Sequence, residues 1–286
     1  MYSTPITRLR PTAFIIAIDR SGSMAEPITF NGERMAKSEA VALVANNLID
    51  ELINRARREE GVADYYDLAV VGYSGDGVEL LLDAGEGFVK PSQLIVRDVP
   101  CRKLIRERRL PDGRAVMAIT EHNMWIAPKA AGITPMYDAL RRVVTLTENW
   151  CRRNTNRTSY PPTVFHITDG EASDCDESQI RDIASRIRNK GTEDGHTLLF
   201  NIHLGASDDE TRQHVIFPSS PEELPDRKYA RLLYDISSAL PQRYEPLVAE
   251  MKTAAVQPPF RGMGYNASIA DLVAMMNIGS VTSSLI

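Results

Sequence analysis

The feature that most constrains this chain is an alternation of short apolar runs ending in an acid with long stretches of helical period. Phe14-Ile15-Ile16-Ala17-Ile18 closes on Asp19, and Val164-Phe165-His166-Ile167-Thr168 closes on Asp169. Runs this short and apolar, bounded by polar turn residues, read as buried strands. Residues 33–60 read as a long helix, with Met35, Val41, Val44, Leu48, Leu52 and Ala56 near the 3.6-residue period. Residues 66–73 (YDLAVVGY) form a second strand. Gly75-Asp76-Gly77 then turns the chain into 78–82 as an antiparallel hairpin. Thr134-Pro135 is expected to open another helix, with threonine as N-cap and proline at the first position. Further helices are expected over 177–190, 226–239, 241–253 and 266–277, with a strand over 197–204. Strands separated by helices in this order predict an α/β fold: a mostly parallel central sheet, one antiparallel edge strand, and helices on both faces. The whole chain, 1–286, reads as one domain, with 85–131 as an insertion and 253–286 as a helical extension.

At 286 residues, with 43% apolar and 25% charged side chains, the chain has the composition of an ordinary globular protein. A net charge of -5 supplies no basic field for nucleic acid. No apolar run approaches the roughly 20 residues that span a bilayer. The opening MYSTPITRLRPT lacks the apolar centre of a secretory signal. Cys101, Cys151 and Cys175 share no metal-type spacing and make no disulfide framework. The expectation is a cytoplasmic protein with neither nucleic acid nor membrane as partner.

The first acid opens a pattern, Asp19-Arg20-Ser21-Gly22-Ser23-Met24, with oxygen-bearing side chains at alternate positions. Such a pattern is either a polar turn or a cup of oxygens for a hard cation. Doubly wound sheets bind ligands beyond the carboxyl ends of their strands, where the strand order reverses. Asp169, followed by Gly170, reaches that edge from a second strand, and Thr134 lies in a loop just after Gly132. All five side chains offer oxygen and none offers nitrogen or sulfur, which suits Mg²⁺, Mn²⁺ or Ca²⁺ and not zinc or copper. Two carboxylates and three hydroxyls leave a coordination position for water or for an acidic group brought by a partner.

Residues 19–24 (DRSGSM), 132–140 (GITPMYDAL) and 167–171 (ITDGE) together resemble the three metal-ion-dependent adhesion site motifs of the von Willebrand factor A family. The resemblance spans about residues 12–252 and implies a Rossmann-like, doubly wound fold. It implies that Ser21, Ser23 and Thr134 bind the metal directly, and that Asp19 and Asp169 do so directly or through water. It also implies a protein–protein interaction module in which an acidic residue of the partner completes the metal's coordination. The chain looks most like intracellular bacterial members, some of which serve AAA+ ATPases of the MoxR type or tellurite-resistance-like systems. The branch stays open. Residues 25–34 (AEPITFNGER) and 85–131 depart from the family pattern and would reshape the rim of the site.

The competing reading is a metal-dependent hydrolase or phosphatase, with Asp19 as nucleophile of an Asp-x-Asp motif. Position 21 is serine, however, and no G-x-x-x-x-G-K-[ST] loop occurs. The nearest acid–base residues are His166, expected in the core, and Glu171. The expectation is therefore no catalysis. His196 and His203 are too poorly spaced for a zinc pair. Other features keep two readings each. The basic stretch 102–114 (Arg102, Lys103, Arg106, Arg108, Arg109, Arg114) is a solvated face or a dock for acidic segments. Trp125 is a rim anchor or a core residue, and Asp208-Asp209-Glu210 is solvated surface or a second cation site. The C-terminal pattern Ile269, Leu272, Val273, Met276 is a packed helix or a docking helix.

Overall fold

Strand β1 (Thr12–Asp19) is buried along its whole length, because helices cover both faces of the sheet it sits in. The structure is a computed structural model. It describes residues 1–280 apart from 31, 83–84, 86, 110–113, 156–157, 206–212 and 253–256. After β1 come a hairpin of β2 (Pro27–Phe30) and β3 (Glu33–Ala36), helix α1 (Lys37–Arg55), and the strands β4 (Tyr66–Ser74) and β5 (Gly77–Leu80). A two-stranded ribbon follows, β6 (Cys101–Arg109) with β7 (Ala115–Asn123), then α2 (Met136–Arg153), β8 (Thr163–Thr168), α3 (Glu177–Arg188) and β9 (Leu198–Leu204). The chain ends with β10 (Val215–Ile216), α4 (Lys228–Ile236), α5 (Glu245–Met251), β11 (Met263–Ala267) and α6 (Ile269–Ser280).

The seven-stranded sheet has the order β10-β11-β9-β8-β1-β4-β5. Its five inner strands are parallel, while β5 and β10 are antiparallel to their neighbours. This is the Rossmann-like, doubly wound α/β fold, with an antiparallel strand at each edge where one was expected. Alternation along β1 divides the core. Phe14, Ile16 and Ile18 pack with Val41, Leu48 and Leu52 of α1 and with Leu272 and Met275 of α6. Ile15 and Ala17 face Leu140 and Val143 of α2, Ile183 of α3 and Leu233 of α4. After β4 the chain crosses β1 to enter β8 on its other side. The order therefore reverses between β1 and β8, where the carboxyl ends of the two strands lie together.

Three expectations change. The helix expected from residue 33 starts at Lys37, because Glu33–Ala36 pairs with Pro27–Phe30; a tertiary pairing outweighs the helical preference of Glu33-Arg34-Met35-Ala36. Segment 85–131 contains the regular β6–β7 ribbon, which lies against α1: Asn123 and Trp125 both donate to Asp50, and His122 bonds Asn47. Trp125 is thus a half-buried side chain on the flank of α1. At the C-terminus, Met263–Ala267 is a strand that adds to β9 in parallel, and α6 packs as a buried helix. The acidic stretch Asp208-Asp209-Glu210 lies outside the described residues. Among those described, no helix is long and apolar enough to cross a membrane.

Candidate functional site

Beyond the carboxyl ends of β1 and β8, four of the five oxygen-bearing side chains form one hydrogen-bonded group. Ser23 Oγ donates to Asp169 Oδ1 at 2.6 Å, and the Ser21 and Ser23 hydroxyls are 3.2 Å apart. The Ser21 amide donates to Asp19 Oδ1 at 2.8 Å, which folds the loop back over the strand end. Parallel pairing sets Thr168 beside Asp19, and its hydroxyl donates to Asp19 Oδ2 at 2.8 Å. Asp19 is fully enclosed. Burial pushes its carboxyl above the ordinary value and the nearby charge of Asp169 adds to this, while hydrogen bonds from Ser21 and Thr168 work the other way.

Thr134 reaches the same edge on a loop sewn to its neighbours by main-chain bonds. Gly22 N donates to Gly132 O (2.9 Å), Ala131 N to Arg20 O (2.8 Å), and Gly75 N to Ala131 O (3.2 Å). Gly132 has φ +70°, and a Cβ there would lie 2.6 Å from the Gly75 Cα. The two glycines therefore allow two backbones to touch, and the first of them needs a left-handed conformation as well. Thr134 does not cap α2 as expected. Asp174 does so, accepting from the amides of Tyr137 and Asp138, while Thr134 N and O both bond Ser173. The Thr134 hydroxyl consequently has no hydrogen-bond partner among the described residues, and its lone pairs stay available.

Several residues of the site went unnoticed in the sequence. Lys37, the first residue of α1, is 3% exposed; its ammonium lies 3.0 Å from Asp169 Oδ2 and 2.7 Å from Glu26 Oε2. The β2–β3 hairpin brings it there, since that hairpin closes with Lys37 N donating to Glu26 O. Arg20 is pinned beneath the rim by Glu79 and by the Ala127 carbonyl. From α4, Tyr229 donates its hydroxyl to the Gly170 carbonyl, fixing the turn after Asp169. The position of Thr168 beside Asp169 was legible; nothing local in the sequence signals Lys37 or Tyr229.

His166 lies one layer below, fully buried. Its Nδ1 faces Asn201 Oδ1 at 2.9 Å, and its Nε2 faces the Tyr73 hydroxyl at 2.8 Å. Because Asn201 Nδ2 donates to Ser237, Asn201 Oδ1 is the acceptor, so Nδ1 carries the ring proton and Tyr73 donates to Nε2. This is a satisfied core histidine, as expected. His203 is likewise absorbed, stacked on Tyr265 and accepting from the Asn266 amide.

Among the described residues no three His, Cys, Asp or Glu side chains gather as metal ligands, so a cation at this edge would depend on the hydroxyls. The donor set fits a hard divalent ion: oxygen only, two carboxylates within one group, and an enclosed Asp19 whose burial disfavours its charge. No protein-family model matches the sequence, and no curated protein is significantly similar to it. Solved structures of similar fold include a von Willebrand factor type A protein from Catenulispora acidiphila, at 14% identity and a TM-score of 0.42 over 79% of this chain. The chain spans 37% of that protein's length. BatB from Bacteroides thetaiotaomicron gives 12% identity and a TM-score of 0.33, covering 68% of this chain and 67% of its own. An aerotolerance-related membrane protein from Bacteroides fragilis gives 12% and 0.31, covering 79% and 86%. At these scores the reading of the site rests on its own geometry.

Proposed function

We propose that this chain is a metal-ion-dependent protein-interaction module of the von Willebrand factor A type. Asp19, Ser21, Ser23, Thr134 and Asp169 hold Mg²⁺, Mn²⁺ or Ca²⁺, and an acidic side chain of a partner protein supplies the last ligand. The observation that carries this reading is the convergence of oxygen-only side chains from three distant segments on the reversal point of a doubly wound sheet. The joint resemblance of those three segments to the adhesion-site motifs supports it further. When bound, the cation supplies a Lewis-acidic point on which a carboxylate can land. The protein's own part is to orient the ligands: Thr168 and the Ser21 amide fix Asp19, and the Ser173 bonds leave the Thr134 hydroxyl unengaged. We read the site as one of binding without turnover: of the two acid–base residues nearest to it, His166 is sealed between Tyr73 and Asn201 and cannot reach a substrate at the edge, which leaves Glu171 without an acid–base partner from that pair. A partner assembly that presents an Asp or Glu, such as an AAA+ ATPase or a stress or defence system, fits this role.

Calorimetric titration of Mn²⁺ and Mg²⁺ into chelator-treated protein tests the proposal. We expect one saturable site in the native chain and its loss in Asp19→Ala. Binding that persists unchanged in Asp19→Ala would place the ion elsewhere and sink the assignment.

A further inference from the structure

We infer that Lys37 is a built-in counter-charge that sets what the loaded metal site can accept: it shares Asp169 with the cation and so turns the site into an acceptor for carboxylates. This rests on the metal-binding reading proposed above and concerns a residue that the adhesion-site motifs do not contain.

A lysine whose side chain is 4% exposed is costly to enclose unless carboxylates answer its charge closely. Lys37 has two, and they differ. Glu26 keeps 58% of its side chain in water, where its charge is screened, whereas the Asp169 side chain is fully covered. The enclosed pair is therefore Lys37 with Asp169. Closing the β2–β3 hairpin does not require this arrangement, since the Lys37 amide already bonds the Glu26 carbonyl. Asp169 meanwhile divides its oxygens: Oδ2 faces Lys37, and Oδ1 faces Ser23 inside the oxygen group.

A divalent ion with Asp19 and Asp169 alone makes a neutral site, to which an incoming carboxylate has little electrostatic reason to bind. Adding Lys37 leaves one positive charge, which a single carboxylate neutralises. Lys37 thus weakens the hold on the metal and strengthens the hold on an anionic ligand. Charges a few ångströms apart in partly buried surroundings alter such affinities by about tenfold or more.

The test uses the full chain, Mn²⁺ and acetate as a carboxylate probe. Mn²⁺ affinity is read by calorimetry, and acetate binding to the Mn²⁺-loaded protein by relaxation of metal-bound water. Lys37→Met, which keeps the aliphatic stem, is expected to bind Mn²⁺ about tenfold more tightly and acetate about tenfold more weakly, with Lys37→Arg close to native. Glu26→Gln, at an exposed position, is expected to shift both affinities the opposite way by a few-fold. It keeps the question answerable if Lys37→Met does not fold. A native chain that takes up Mn²⁺ while these variants leave both affinities unchanged overturns the role of Lys37 alone. A native chain that takes up no Mn²⁺ overturns the metal reading itself, and this inference with it.

Discussion

His166 occupies its place in the sheet as a neutral ring, and this gives the fold a defined response to acid. Burial lowers its pKa to about 4, against an unfolded value near 6.5, so the unfolded chain binds the extra proton first. The stability this provides is fully present above pH 6.5 and drains away as the pH falls toward 4, by about 3 kcal/mol in total. Urea unfolding of the native chain and of His166→Gln across that window checks it: the native chain should lose the additional stability, and equal slopes would refute the assignment. Asp19 behaves in the opposite sense. Its folded pKa is raised, so ionisation is a burden on the fold that a cation bound there would relieve. At this scale the sequence was legible where neighbours along the chain act together. Asp19, Ser21 and Ser23 lie on one turn, and Asp169 follows a recognisable strand. Lys37 was illegible because its meeting with Asp169 depends on how a hairpin closes, a contact across 132 positions that no local pattern encodes.

Among the elements, the 131–132 stretch is held against the 74–77 turn and the first turn of the site by close backbone approach. A Cβ at Gly75 would lie 2.8 Å from the Gly132 Cα, so Gly75→Ala must push the 131–134 loop away from the 74–77 turn. The expected cost is about 1–3 kcal/mol of stability together with weaker Mn²⁺ binding, because Thr134 moves with its loop. Chemical denaturation and metal titration on the same variant measure both; lost stability with unchanged metal affinity would show that Thr134 is not a ligand. Elements misread from the sequence share a cause. Glu33–Ala36 has helix-forming residues yet pairs as a strand, and Met263–Ala267 contains Gly264 and Asn266, poor strand formers, yet completes the sheet beside β9. In both, an available pairing partner outweighed the intrinsic preference of a few residues. The expected Thr134 cap failed for a related reason. Asp174, some 40 positions along the chain, takes the helix amides instead.

On the scale of the whole molecule, the alternation of strands and helices was enough to read the layered α/β architecture, since parallel neighbours need crossovers and crossovers need helices. It could not reveal that the sheet extends past β9 to β11 and β10, which makes the last part of the chain structural. Leu272, Met275, Met276 and Ile278 of α6 are all at most 7% exposed. Burial contributes about 1.5–3 kcal/mol for each such side chain, and the four together are comparable to the roughly 5–15 kcal/mol net stability of a folded protein. A chain ending at residue 262 should therefore lose its cooperative thermal transition and its soluble yield. A sharp melt near that of the full chain would contradict this. The sewn loops have one further consequence. Residues 131 and 132 are held over the first turn by amides and carbonyls, so side chains along that stretch can be exchanged without disturbing the frame, whereas Ser173 and Asp174 must be kept beside Thr134. On the function proposed above, recognition and ion chemistry would then be separable inheritances: the rim could drift toward new partners, or be rewritten by design, while the socket beneath kept its dimensions.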